Sequence, residues 1–304
     1  MKPAEIPAME WKDVIMRAWK DVGRDHVGLI SAGIAFYGLL ALFPAITALM
    51  ALSGLVLSPE QVTAQIEAIT ALVPQGAAEI ILDQATKVAG SQDAGLSVAL
   101  AVSVSIALYS ASKGVASLME GINIAYDEEE TRGFVRLTAT KLGLTIFLLV
   151  GVVAGLGAVL ILPGILSIVD LGATTEVLIG IGRWALLLVL TIAGIMMLYR
   201  VAPNRDPAQW SWLLPGASIA CVLWLAASLG FAIYVENFSG YTESFGALAG
   251  VIVLLMWMWI SAYVILLGAE INGEAEAQVR VDTTIGKPAA RGARNAVKAN
   301  EFVG

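Results

Sequence analysis

Apolar runs of more than twenty residues recur along the chain, separated by shorter polar connections. A membrane-crossing helix needs about 20 mostly apolar residues at roughly 1.5 Å rise each. Runs at roughly 28–57, 96–119, 142–162, 178–199, 212–235 and 246–268 meet that length and predict six transmembrane helices. The first run is long for a simple crossing and contains Pro44, which predicts a kink because proline removes a backbone donor and crowds the preceding turn.

Three polar or amphipathic segments flank these runs. In residues 11–24, Trp11, Val14, Ile15, Ala18, Trp19 and Val22 recur at helical spacing, with Lys12, Arg17, Lys20 and Arg24 elsewhere on the wheel. This pattern predicts a helix lying in the membrane interface, although a helix docked on a partner protein has the same signature. In residues 58–92, Ser58 and Gln61 form a capping box with Pro59 at the first helical position. Val62, Ile66, Ile69 and Val73 then line one face, Pro74 and Gly76 interrupt, and Ile80, Ile81, Ala85 and Val88 line a second helix. The expectation is a helical hairpin on the outer mouth of the bundle. From about 275 the chain is rich in Ala, Gly and charge without apolar periodicity, which predicts a largely disordered tail.

Composition supports lipid as the solvent. The 304 residues are 58% hydrophobic and 14% charged, and the mean hydropathy is +0.80, against about half apolar and a quarter charged in a soluble domain. Basic residues then set the orientation. Lys2, Lys12, Arg17, Lys20 and Arg24 precede the first span, Arg132, Arg136 and Lys141 follow the second, and Arg200 and Arg205 follow the fourth. Arg280, Lys287, Arg291, Arg294 and Lys298 follow the sixth, so fifteen of the eighteen Lys and Arg fall on one side. By the positive-inside rule that side is cytoplasmic, with both termini there, in a cytoplasmic (inner) membrane. The first 27 residues are polar and charged, unlike a secretory signal, so the first span is expected to remain as an anchor. The resulting architecture is all-α: a cytoplasmic segment 1–27, a six-span domain 28–270 carrying the outer hairpin 58–92, and a cytoplasmic tail 271–304.

Charge inside a span is costly and marks candidate function. Lys113 lies within the second span, Glu120 follows nearly two turns later, and Asn123 comes one turn further on. These three, with Ser110 and Ser117 nearby, form a polar line toward the cytoplasmic mouth that either faces the bundle interior or snorkels to headgroups. Arg183, near the outer end of the fourth span, reads as a snorkelling residue or as a site for an anionic group. Glu270 and Asn272, at the end of the sixth span, read as interfacial residues or as further candidate substrate contacts. Gly151 and Gly155, and likewise Gly246 and Gly250, have the GxxxG spacing that lets helices approach closely, here more readily within one bundle than between copies. Trp210, Trp212, Trp224, Tyr234, Tyr241, Trp257, Trp259 and Tyr263 cluster at span ends as an aromatic belt.

Catalysis finds little support. A single His (His26) excludes a multi-His metal site, and the single Cys (Cys221) has no His neighbour in sequence. The run Asp127, Glu128, Glu129, Glu130 reads as a solvated loop. No phosphate or dinucleotide fingerprint is present. No cofactor or metal is expected, and the scattered basic residues of the tail suit anionic lipid rather than nucleic acid.

Several blocks resemble the YihY/BrkB family of bacterial inner-membrane proteins. They are Ala35-Phe36-Tyr37 leading to Leu42-Phe43-Pro44, Tyr199-Arg200-Val201-Ala202-Pro203 followed by Pro215-Gly216-Ala217, and Trp257 and Trp259 followed by Leu267-Gly268-Ala269-Glu270-Ile271-Asn272. The similarity covers roughly residues 10–275. Before the sixth span the chain has Phe245-Gly246-Ala247 where the family often has Tyr-Gly-Ser. Members have carried the label ribonuclease BN, which one His does not support as a metal-dependent nuclease. The resemblance implies movement of envelope lipids. The expected function is therefore a membrane transporter or lipid-translocating protein binding membrane lipids, an anionic lipid or a small molecule. The alternative is a scaffold or envelope-assembly factor without transport.

Overall fold

The computed structural model describes residues 3–56, 96–166, 173–237, 247–286 and 289–303. The hairpin expected over 58–92 and the turn at Phe245 and Gly246 lie outside the described residues. The rest is helical: a short 3-10 turn Pro3–Glu5, then α1 (Ala8–Arg24), α2 (Val27–Val56), α3 (Leu96–Ala125), α4 (Phe134–Leu166), α5 (Ala173–Val201), α6 (Trp210–Asn237), α7 (Ala247–Ala277) and the single turn α8 (Val297–Asn300). Helices satisfy their own backbone donors and acceptors, which is what a chain this apolar requires in lipid. Among the described residues, α4, α5, α6 and α7 each carry a stretch long and apolar enough to cross a membrane, and α1 with α2, bent by 64°, adds a fifth if counted as one span.

The chain divides into two compact units. One combines Met1–Ser31, Ala116–Leu225 and Tyr263–Gly304, and the other combines Ala32–Val115 and Ala226–Ala262. In the second unit, α2 and α3 approach closely at Gly114, where a Cβ would lie 3.6 Å from the Tyr37 Cβ and 3.7 Å from the Gly38 nitrogen. Gly38 in turn faces the Met258 sulfur of α7, and the Trp257 indole donates to the Ser228 hydroxyl of α6 at 3.3 Å.

The first unit gathers every segment in which the basic residues concentrate. Helix α1 docks through Val14, Ala18, Asp21 and Val22, while Ile15, Met16 and Trp19 stay exposed. Trp11 packs against a cluster of Ile6, Trp212 and Val279. Trp212 thus sits in the core, not in an aromatic belt. Left-handed backbone at His26 (φ 52°) and Asp127 (φ 54°) lets the chain turn out of α1 and α3. Arg132 donates to the Ala202 carbonyl at 2.7 Å and the Val201 carbonyl at 3.5 Å, satisfying the open end of α5 with a cation, as the helix dipole favours.

Two sequence expectations need correction. Helix α7 continues beyond 270 to Ala277, because Glu and Ala sustain a helix and Gly273 packs in close contact, with a Cβ there meeting the Ala125 carbonyl at 2.8 Å. The segment after 277, expected to be largely disordered, is folded around Arg294. Its guanidinium donates to the carbonyls of Val281, Ala289 and Ala299 and pairs with Asp282 at 3.5 Å. Among the described residues, Gly151 and Gly155 make no close helix contact, since a Cβ at either would meet nothing within 4 Å.

Candidate functional site

The three blocks at the ends of the fourth, fifth and sixth apolar runs converge at one crossing in the first unit. A Cβ on Gly216 would collide with the Gly268 carbonyl and lie 2.6 Å from the Asn272 side chain. A Cβ on Gly268 would collide with the Tyr199 hydroxyl and lie 2.7 Å from the Gly216 carbonyl. The Tyr199 hydroxyl donates to the Ile265 carbonyl at 2.6 Å. Pro215 interrupts the hydrogen bonding of α6 here. The Asn272 amide bridges this stretch, accepting from the Gly216 N–H at 2.8 Å and donating to the Leu213 carbonyl at 3.1 Å. A buried amide with both ends paired is what a proline-interrupted helix needs from its neighbour.

Beyond this crossing, α7 is buried on all sides from Gly268 to Val279, so its polar residues project into the protein. Glu270 and Glu274 lie one turn apart on one face, and Gln278 extends the same line. Glu274 accepts from the Lys298 ammonium at 2.7 Å and from Arg17 of α1 at 2.6 Å. Lys298 is only 3% exposed and also meets Asp127 at 2.8 Å and Asp21 at 3.8 Å. Arg24 flanks them, 3.2 Å from Asp21 and 3.5 Å from Asp127. Burial works to lower the Lys298 pKa, but hydrogen bonds to Asp127 and Glu274 and their charges outweigh it, holding the ammonium above the ordinary lysine range.

On the other side of α7, Glu276 pairs with Arg205 at 2.6 Å, with both side chains essentially inaccessible to solvent. Thr283 donates to the same carboxylate at 2.5 Å, and the guanidinium lies 4.8 Å over the Tyr126 ring. The Arg205 pKa is raised, because the Glu276 carboxylate outweighs the loss of hydration.

Glu270 differs from both pairs. It is 1% exposed, and neither carboxylate oxygen has a hydrogen-bond partner among the described residues. The charges that act on it are Asp25, Lys298, Asp21 and Asp127. An unpaired carboxylate at such burial is expensive, and groups of this kind persist where they bind or exchange something.

The structure separates the residues that the sequence put forward. Lys113 and Glu120 are exposed on α3, with the Lys113 ammonium 5.4 Å from the Tyr109 ring centre. Asn123 is buried on another face of that helix and ties two loops, accepting from the Asn204 N–H at 2.7 Å and donating to Glu130 at 3.3 Å. Arg183 is half-buried, with its guanidinium 5.4 Å from the Trp184 ring centre. Glu270 and Asn272, which read as interfacial from sequence, are both fully enclosed.

The acidic loop is largely solvated, with Asp127, Glu129 and Glu130 exposed, yet three of its carboxylates are paired. Asp127 holds Lys298, Glu128 accepts from the Val297 N–H at 2.7 Å, and Glu130 pairs with Arg132 at 2.5 Å. The hydrogen bond from Arg132 is the main reason that the Glu130 pKa is lowered. Asp21, Arg205, Glu276 and Lys298 carried no sequence signal. Only their pairing in three dimensions singles them out. Among the described residues, no group of His, Cys, Asp and Glu is arranged to hold a metal ion.

Apolar helices long enough to cross a bilayer, ending in an enclosed ionic centre, define a multi-span integral membrane protein with charge buried at one end of its spans. Residues 18–293 match the family model described as Virulence factor BrkB, and the chain belongs to that family. It is 31% identical over 252 residues to a ribonuclease-like protein, YfkH, of Bacillus subtilis, covering 80% of this chain and 87% of the relative. It is 42% identical over 81 residues to a UPF0761 membrane protein of Tolumonas auensis, and 34% identical over 114 residues to one of Vibrio vulnificus. Those alignments span 26% and 36% of the relatives, about a quarter to a third of their length. No solved structure matches the chain.

Proposed function

We propose that this protein is a transporter of the bacterial cytoplasmic membrane that moves a lipid or another envelope component, and that it is not a ribonuclease. The observation that carries this reading is Glu270, a carboxylate enclosed in a spanning helix with neither oxygen paired among the described residues. A protein that only braces a membrane gains nothing from a buried carboxyl group left without a partner, whereas a site that must bind and release needs a group that is not already satisfied. Glycine contacts at Gly216 and Gly268 and the proline inside α6 lie directly beside it, where two spanning helices can shift against each other.

In this reading six spans cross the membrane, and the segments gathered around α7 face the cytoplasm by the positive-inside rule. The exposed Trp19 and Ile15 of α1 rest at headgroup level. The name ribonuclease-like attached to the Bacillus relative suggests RNA cleavage, but a single His leaves a metal-dependent nuclease without its ligands.

The test is transbilayer movement of fluorescent phosphatidylethanolamine and phosphatidylglycerol in proteoliposomes, read by dithionite quenching. The purified chain should accelerate the movement of at least one lipid over liposomes holding an unrelated membrane protein, and should leave RNA intact. Folded protein that moves neither lipid would favour the alternative, a scaffold or envelope-assembly factor acting through its docked helix and folded tail.

A further inference from the structure

We propose that Asp21, Asp127 and Glu274, with Glu270 one turn away, form a binding site for a primary ammonium group, and that Lys298 occupies it as a ligand tethered to the chain. This proposal concerns binding and stands whether or not the protein moves lipid.

Three carboxylates from three separate elements surround one ammonium at 2.7, 2.8 and 3.8 Å. An –NH3+ group has three donors; Glu274 and Asp127 lie within hydrogen-bond distance of it, and Asp21 adds charge at 3.8 Å. The planar fork of an arginine prefers two parallel bonds to one carboxylate, as Arg132 makes to Glu130, whereas Arg17 reaches Glu274 by one bond and turns its other to Gln278. The independent observation is Glu270: enclosed, unpaired, and within the electrostatic reach of Lys298, Asp21 and Asp127. Asp21, Asp127 and Glu274 set three carboxylates against Lys298, Arg17 and Arg24, so removing the Lys298 ammonium leaves the site one cation short.

Lys298 lies on a single helical turn whose links to the rest of the protein include the Val297 N–H to Glu128 at 2.7 Å and the Val303 N–H to the Ala277 carbonyl at 3.2 Å. Much of the hydrogen bonding around it is internal to the tail, through Arg294 and Asn300. The Asn295 carbonyl also accepts from the Asp206 N–H at 2.7 Å, so the turn stays tied while a free primary ammonium of the right size competes with the Lys298 side chain for the carboxylates. Ligands carrying that group include the ethanolamine headgroup of a phospholipid and small soluble amines.

The experiment is chemical rescue. Lys298→Ala in full-length detergent-solubilised protein should melt several degrees below wild type, and methylammonium should restore most of the loss while tetramethylammonium should not. Exchanging phosphatidylcholine for phosphatidylethanolamine in the micelles identifies the source. Stabilisation there marks a lipid headgroup, and rescue by methylammonium alone marks a soluble amine; both support the site. Lys298→Ala combined with Glu274→Gln should lose the rescue. Equal response to methylammonium and tetramethylammonium, or no response to methylammonium or phosphatidylethanolamine, overturns the proposal. Should Lys298→Ala not accumulate, wild-type protein carries the same test. Methylammonium, but not tetramethylammonium, should then hasten tryptic cleavage at the exposed Arg291, and identical cleavage in both salts overturns the proposal.

Discussion

At the scale of single residues, what decides the outcome is whether a polar group is paired once it is buried. Arg205 and Glu276 are enclosed and bonded to each other, so removing one strands the other. Breaking such a pair typically costs about 3–5 kcal/mol, whereas replacing both members by apolar residues is often neutral. Arg205→Met should therefore lower the melting temperature sharply in detergent, and Arg205→Met with Glu276→Leu should recover much of the loss. Lys113→Met should change stability little, because the side chain is exposed. Glycines divide in the same way. Gly268→Ala would drive a methyl group into Tyr199 and the Gly216 carbonyl and should cost about 1–3 kcal/mol, while Gly151→Ala should be nearly silent.

Titration belongs to this scale too. The Glu130 pKa is lowered by Arg132. The Asp282 pKa is also lowered, because hydrogen bonds from Ala289 and Thr284 outweigh burial. A carboxylate with a lowered folded-state pKa binds its proton less tightly in the folded protein than in the unfolded chain. Its contribution is present above the unfolded value of about 4 and is lost as pH falls through the folded value. Melting temperature should therefore fall on acidification below about pH 4–5, and by less in Glu130→Gln or Asp282→Asn, whose baseline stability is lower.

At the scale of elements, apolar run length located four helices long and apolar enough to cross a bilayer, and a fifth if α1 and α2 count as one span, because hydrocarbon thickness constrains length directly. The end of the sixth run was not legible. Hydropathy drops at Glu270, and a helix entering water looks the same in sequence as a helix entering a polar protein interior. What separates them is the surrounding chain, supplied by α1, the turn at Tyr126 and Asp127, and the tail. The amphipathic pattern of α1 was legible, but not which side faces protein: Val14 and Ala18 dock, while Ile15 and Trp19 remain exposed. Lys113 and Glu120 share one exposed face, but Asn123, read on the same line, is buried on another, and periodicity carries no information about which stripe points inward. The Gly216–Gly268 contact was not legible: both glycines fall in blocks that carry the family resemblance, but two glycines in different helices have no spacing to read. An element-level prediction follows from the segments that meet around α7. Cysteine labels placed at Glu129, Asn204 and Arg291 should all react from the same side of the membrane, and a reagent that reaches one from the opposite face would break the topology.

At the scale of the whole molecule, the polar chemistry among the described residues concentrates at the end of the spans where the basic segments gather, on a helix that is enclosed from Gly268 to Val279. The central claim is that this enclosed centre, and not the exposed Lys113 stripe, carries the function. Transbilayer lipid movement in proteoliposomes, measured side by side for wild type, Glu270→Gln and Lys113→Met at equal amounts of folded protein, tests it most directly. Glu270→Gln keeps the shape and removes the ionisable group, so it should retain the wild-type melting temperature or exceed it while slowing lipid movement at least tenfold, and Lys113→Met should move lipid at the wild-type rate. Full activity in Glu270→Gln together with loss of activity in Lys113→Met would contradict the account.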